Sequence, residues 1–559
     1  DVAETIRMLQ EIIKISPQTV ERILTETKKK RSFVPVLVSE NLSRKEVAAI
    51  AIQTPYLPGI KIDIGQTRHY PFRDLTVHLT GYVATISQSE KTGDPLLELP
   101  GLKIGKSGIE KSFDSKMRGR AAQRQVEVNA FGRIIRKLPG EEIQMGHDVE
   151  LTIDVSLQSF STKRLAQGNS VYVPVDDPRI QRALSEGRNL PPGTDPVNGY
   201  VNFDYKGNVQ APESGAAVVM DAFNGDVLAL ASTPGFDPNS FSNGLNAADW
   251  ENLLSNPRSP MTNKAVSGQY SPGSTFKMIV CLAALEAGIA HRETKVQCSG
   301  MIEFGDSRFH CWKKDGHGWL NMVQAIEQSC DVYLYELAKR VGIKRIGEMA
   351  ARFGFGETFN FGLPGENRGL IPTPAWKRKT FGQAWHAGET LITSIGQGFI
   401  LCTPLQLAVM TSRLVNGGRP VLPRLVKKER AEIQKRKSLK LSPQHLDTVL
   451  KGMDKVVNGY QGTARKVVDQ NMKFQFGGKS GSVQVKRISL DERESGKLKN
   501  KDRPWHERDH AMFVAFAPLK SPRYVVSVVV EHGGGGSTMA APIARDILGE
   551  VLRLNPSKL

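Results

Sequence analysis

A serine and a lysine three residues apart, Ser274 and Lys277, open an apolar run over 278–285. On a helix, residues i and i+3 share a face, so hydroxyl and amine point the same way. Pro272 and Gly273 set a tight turn just ahead, at the start of the helix. A serine hydroxyl is a poor nucleophile until a base takes its proton, and a lysine held neutral can be that base. The helix N-terminus adds partial positive charge at Ser274, where an oxyanion would develop. Taken alone, the same pair also fits an N-cap serine followed by a surface lysine.

Two later stretches decide between these readings. Ser329-Cys330-Asp331 and Lys479-Ser480-Gly481-Ser482 follow in order. Lys479 with Ser480 offers a charge and a hydroxyl donor, which suits a carboxylate. Gly481 allows a strand to approach a substrate closely. The ordered set S-x-x-K, S-D-N and K-T-G marks class A β-lactamases and penicillin-binding proteins.

The 559 residues are 40% hydrophobic and 24% charged, enough for roughly two to four globular domains. The net charge of +18 favours anionic surroundings: a membrane surface, an acidic polymer or nucleic acid. No nucleic-acid-binding signature accompanies it, so nucleic acid is not read as a partner. Part of the surplus lies in 427–437, which reads first as a solvated loop and second as a partner surface. No run of about 18 apolar residues and no signal peptide is present. The chain opens at Asp1 inside a helical pattern, which suggests that a longer N-terminus precedes it.

The elements that must position these groups come next. Val2, Ile6, Leu9, Ile12 and Ile13 form a helical stripe, and a second helix runs from Ser16-Pro17 to Lys30. Residues 33–38 read as an edge strand because they contain Pro35. Ser43 and Glu46 form a capping box, and 60–82 are strand-like. A small α+β head module over about 1–85 is expected. Gly, Lys and Ser make 86–120 a loop; its Gly105-Lys106-Ser107 lacks phosphate-loop spacing. A hairpin turns at Gly132, a strand covers 149–154, and a helix covers 155–167. Residues 168–213 read as a surface insertion with one short helix near 180–185. Asn224-Gly225 between two apolar runs is a hairpin signal. A largely helical middle over 275–420 follows, then strands at 474–479, 511–516 and 524–530 and a closing helix from 543. Two early strands and three late ones predict one antiparallel five-stranded sheet flanked by helices, an α+β multidomain protein.

At this point the chain resembles the class B penicillin-binding proteins, most nearly those of the penicillin-binding protein 2, elongation type. Residues 149–559 resemble their transpeptidase domain through 271–277, 313–318, 329–331, 394–398, 402–406 and 478–485; 1–148 resemble their elongated pedestal through 78–83 and 105–110. Asp331 stands where division-type relatives usually carry Asn. The family's membrane anchor and first pedestal strands are missing, and 168–213 is longer than usual. The resemblance implies a peptidoglycan D,D-transpeptidase on the periplasmic face of the bacterial inner membrane. Its substrates are stem peptides ending in D-Ala-D-Ala, and β-lactams inhibit it. In this reading Ser274 is acylated with Lys277 as base, its pKa depressed by Lys479 and burial. Ser329 relays a proton, and Asp331 holds the lysine or the substrate amide. Lys479 and Ser480 take the terminal carboxylate, and the backbone N–H groups of Ser274 and Ser482 form the oxyanion hole. Implied partners are a membrane glycosyltransferase of the SEDS type and elongation scaffold proteins. The rival readings are a serine β-lactamase, a D,D-carboxypeptidase, and a non-catalytic β-lactam sensor or scaffold.

Cys298, Cys311, His317 and Cys330 fall in one stretch, separated by twelve, five and twelve residues. Three thiolates and an imidazole are a ligand set for structural Zn²⁺. A disulfide and ordinary core thiols are the alternatives, since the family works in an oxidising compartment. Some relatives of the resembling type hold zinc near this place, which favours Zn²⁺ as the cofactor. Cys281 and Cys402 lie in apolar runs and read as packing.

Overall fold

The computed structural model describes residues 2–29, 35–65, 67–91, 97, 101–119, 126–128, 134–137, 144–169, 171–174, 182, 185–186, 200–203, 209–210, 213–427, 438–469, 472–486 and 500–555. The chain forms two compact units: Asp1–Arg73 with Thr80–Val149 and Asp237–Glu251, and Asp74–Leu79 with Glu150–Phe236 and Asn252–Leu559.

In the first unit, helices Val2–Gln10, Pro17–Lys29 and Arg44–Gln53 appear at the expected stripes. The Ser43 capping box forms, with Glu46 N donating to Ser43 Oγ and Ser43 N to Glu46 Oε2. Leu9, Ile13, Ile50 and Leu57 make its core. Two expectations fail. Residues 35–38 form no strand, and 33–34 lie outside the described residues. The strand read over 60–82 is replaced by irregular chain, a 3₁₀ turn at Arg73–Leu75 and a short helix at Val77–Thr80, with Asp74–Leu79 counted in the second unit. Val77, His78 and Leu79 are all buried; consecutive burial does not fit a strand with one wet face. The first strand, Val83–Thr85, pairs with Lys103–Gly105, inside what composition suggested was loop. Val126–Val128 and Ile134–Lys137 pair as the expected hairpin; Gly132 itself lies outside the described residues.

The second unit opens with α1 (Val155–Gln167), capped by Asp154, whose carboxylate accepts from Leu157 N at 2.9 Å. The strand expected over 149–154 is only a single bridge, Leu151 to Val426. In the 168–213 segment, Val171–Pro174, Tyr200–Phe203 and Val209–Gln210 pair antiparallel. Of the short helix expected over 180–185, only Arg182 and Ser185 are described. Most of the basic run over 427–437 also lies outside the described residues.

The central sheet is β1 (Gly215–Asp221), β2 (Val227–Thr233), β3 (Gly477–Val483), β4 (His510–Ala517) and β5 (Tyr524–Val530), antiparallel in the order β3-β4-β5-β1-β2. Late strands close an early hairpin, as expected. Every residue of β1, β2 and β5 is buried, so their near-continuous apolar runs mark strands covered on both faces. The β2 edge is closed by α1: buried Gln158 donates to Leu230 O at 3.1 Å and accepts from Leu230 N at 2.7 Å. Such a clamp removes an open edge. The β3 edge, which carries Lys479 to Ser482, has no strand beyond it among the described residues.

Two histidines, buried His78 and half-buried His510, couple this unit to acid. Burial, then the charge of Lys264, holds His78 at about 3. Burial, then His532, holds His510 at about 4. Both are neutral in the fold, whereas in the unfolded chain they take a proton below about 6.5. Stability is therefore lost as pH falls through the interval from about 6.5 down to about 4 and about 3, on the order of a few kcal/mol per group. We expect the urea midpoint to drop between pH 7 and pH 4.5, and His510→Gln to reduce that drop. An equal drop in both proteins would contradict it.

Candidate active site

Ser274 lies in a 3₁₀ turn, Gly273–Phe276, that runs into α2 (Lys277–Glu286). The turn is one step tighter than a simple helix start, and Gly273 enters it at φ +54°. A Cβ there would sit 2.9 Å from Val483 Cγ2. Opposite it, a Cβ at Gly481 would sit 3.2 Å from Pro272 O. The glycine in each segment therefore lets β3 lie directly on the serine turn.

Lys277 is fully buried, and its Nζ donates three hydrogen bonds. They go to Asp331 Oδ1 at 2.7 Å, Ser329 O at 2.8 Å and Ser329 Oγ at 3.2 Å. Lys479, also fully buried, donates to the same Ser329 Oγ at 2.9 Å and to Ser480 O at 3.0 Å. One hydroxyl thus bridges two amines in a dry site. Lys479 is thus the second cation that the sequence reading set beside Lys277. Lys479 is held well below the usual lysine range by burial first and the Lys277 charge second, with Asp331 opposing. Lys277 is the ion-pair partner of Asp331.

Ser329 and Asp331 join α3 (Met322–Glu327) to α4 (Asp331–Arg352). Ser329 takes φ +54°, a left-handed conformation costly for a side chain with a Cβ, at roughly 1–2 kcal/mol. Its surroundings hold it there. Trp312 Nε1 donates to Gln328 O and Ser329 O, both at 3.1 Å, and Trp312 N donates to Asp331 Oδ2 at 2.9 Å. Sequence reasoning missed Trp312, and also Thr463, whose hydroxyl lies 3.1 Å from that of Ser480. Neither stands in a periodic pattern or a motif. Ser482 also belongs to β3, where its hydroxyl accepts from Gly536 N at 3.1 Å. The structure thus gathers Lys277, Ser329, Asp331, Lys479 and Ser480 into one hydrogen-bonded cluster beside the turn of Ser274.

The middle of the chain is less helical than expected. Val296–Cys298 pairs with Gly318–Leu320, and Met301–Phe304 with Ser307–His310. These short ladders bring the sulfurs of Cys298, Cys311 and Cys330 and a ring nitrogen of His317 within 4.8 Å of one another. His317 Nδ1 lies 3.5 Å from Cys298 Sγ and 3.6 Å from Cys311 Sγ. Edges of about 3.5–3.8 Å are what a tetrahedral zinc with Zn–S near 2.3 Å gives. A hydrogen bond from Cys330 holds the Cys311 thiol well below its usual range. The donor set therefore fits Zn²⁺. The cluster also touches the lysine–serine–aspartate group: Asp331 N donates to Cys311 Sγ at 3.4 Å. None of the five cysteines is disulfide-bonded here.

Residues 215–549 match the family model described as the penicillin binding protein transpeptidase domain. The chain belongs to the penicillin-binding protein transpeptidase family. Residues 1–151 match the penicillin-binding protein dimerisation domain. The chain is 32% identical over 97% of its length to the peptidoglycan D,D-transpeptidase MrdA of Acinetobacter baumannii, and covers 75% of that protein. It is similar to Helicobacter pylori PBP2 in complex with MreC, with TM-score 0.79 and 27% identity over 99% of this chain and 92% of that one. It is also similar to Pseudomonas aeruginosa PBP2 in complex with WCK 5153, with TM-score 0.68 and 32% identity over 88% and 93%. Among penicillin-binding proteins the likeness is thus to class B members of the elongation type. The dimerisation domain sets the chain apart from the β-lactamase reading.

Proposed function

We propose that this chain is a serine-type peptidoglycan D,D-transpeptidase that cross-links stem peptides during cell elongation. The observation that carries the reading is the Ser329 hydroxyl shared by Lys277 and Lys479 beside the serine turn. The substrate carboxylate raises Lys479, which without it lies below the usual lysine range, so that a proton can pass to it from Lys277 through Ser329. The neutral Lys277 then takes the Ser274 proton as Oγ attacks the D-Ala carbonyl. The peptide C–N bond breaks, and the leaving D-Ala amine takes a proton relayed by Ser329. Lys479 and Ser480 hold the terminal carboxylate, and Asp331 keeps Lys277 in place. The backbone N–H groups of Ser274 and Ser482 face the oxyanion. The amine of a second stem peptide then attacks the ester; a C–N bond forms, the C–O bond breaks, and Ser274 Oγ regains its proton. As an edge strand, β3 leaves backbone groups free to pair with an extended peptide.

The substrate places the enzyme on the periplasmic face of the inner membrane, where its net charge of +18 suits an anionic surface. The similarity to a protein solved with MreC supports an elongation scaffold partner, and a SEDS-type glycosyltransferase is the partner that would supply glycan strands. The test is a stem pentapeptide with an added amine acceptor. Released D-Ala together with a cross-linked product supports the reading. D-Ala with only hydrolysed peptide would make the chain a carboxypeptidase, and no D-Ala would leave a sensor.

Cys298, Cys311, His317 and Cys330 would hold one Zn²⁺. When bound, it is structural, because four protein donors leave no position for substrate. Cys330 sits between Ser329 and Asp331, so the site would fix the second motif against 298–318. We expect about one zinc per chain, by the one-site reading, in protein purified without chelator. His317→Ala should lose it and lower the melting temperature. Metal-free protein whose free-thiol count shows Cys298 bonded to Cys311 or Cys330 would refute this.

A further inference from the structure

The segment 459–467 follows α5 (Pro443–Asn458) on the way to β3 and touches the second and third motifs at once. Gln461 N donates to Glu327 Oε1 at 3.2 Å and Thr463 N to Glu327 O at 3.3 Å; Glu327 lies two residues before Ser329. On the other side, the Thr463 hydroxyl meets that of Ser480. At this rim Tyr460 is 84% exposed, and Arg465 is exposed beside it. The Arg465 guanidinium lies over the Tyr460 ring at 5.1 Å, and its Nη1 donates to Tyr460 O at 2.7 Å. No carboxylate pairs with Arg465 among the described residues. The side chain is thus already ordered, so little further entropy is lost on binding, and most of its N–H donors are free. That is a preorganised site for an anion.

The reaction indicates which anion passes here. Lys479 and Ser480 hold the leaving D-Ala by its carboxylate. The incoming amine must approach the acyl carbonyl from the place the leaving amine vacates. An acceptor stem peptide that runs out past Ser480 and Thr463 would cross the 460–465 rim. Stem peptides carry carboxylates besides those at the reacting ends. We propose that Arg465, held by Tyr460, binds a carboxylate of the acceptor stem peptide and so favours transfer over hydrolysis. This rests on the transpeptidase reading.

The test forms an acyl-enzyme from a stem-peptide thioester and offers two acceptors, a stem tetrapeptide and the same peptide with its carboxylates amidated. Transfer is read relative to hydrolysis of the same acyl-enzyme, so each variant is its own reference. The wild type should prefer the carboxylate acceptor by about tenfold, the scale of one charge-assisted contact. Arg465→Gln, which keeps a donor for Tyr460 O, should lose that preference, and Arg465→Lys should restore part of it. Wild type that does not discriminate, or that transfers to neither acceptor, overturns the proposal, as does a Gln variant that still discriminates. A wild type that forms no acyl-enzyme overturns the transpeptidase reading, and this proposal with it.

Discussion

Ser274→Ala removes covalent labelling by a fluorescent penicillin altogether, while the protein keeps its melting temperature. The Ser274 hydroxyl sits in a turn whose neighbours, Gly273, Thr275 and Phe276, are buried and carry the packing. Losing one Oγ leaves that packing untouched, whereas no other group lies in its place to form the ester. Labelling that survives in the alanine variant, read on a denaturing gel, would move the nucleophile elsewhere.

The second large effect falls on Lys277. Lys277→Ala should slow acylation by about three orders of magnitude, the scale of a positioned general base. It also leaves Asp331 without its ion-pair partner, so lost stability could mimic a lost base. Lys277→Arg separates the two. An arginine keeps the charge but does not give up a proton at neutral pH. If Lys277 acts as the base, the arginine variant stays folded and still fails to acylate. Stopped-flow acylation at near wild-type rate in the arginine variant would reduce Lys277 to a structural cation.

The part of this site that was legible in the sequence is the part fixed by short-range spacing. Ser274 and Lys277 lie within one turn, and Lys479 to Ser482 within one strand, so motif and geometry coincide. The five-stranded sheet was legible because β1, β4 and β5 are near-continuous apolar runs with an Asn-Gly turn after the first. What stayed hidden is set by contacts distant in sequence. That Lys479 lies below the usual lysine range depends first on burial and then on Lys277, which is far from it in the chain. The short ladders around Cys298 and Gly318 have only three or four residues each, too few for a periodicity to show. The helix at Val77–Thr80 was misread because its β-branched residues favour a strand, and burial on successive positions overrode them. Trp312 reaches Ser329 and Asp331 through its N–H groups, a role no spacing rule announces.

The central claim is a serine acyl-enzyme that persists. Its most direct test is the intact mass of the wild-type chain over time with excess penicillin, followed by peptide mapping. The account predicts that the whole population gains one penicilloyl mass, on the peptide containing Ser274, and holds it long after free drug is removed. An adduct that never forms, maps to another residue, or is shed rapidly as hydrolysed penicillin would contradict it.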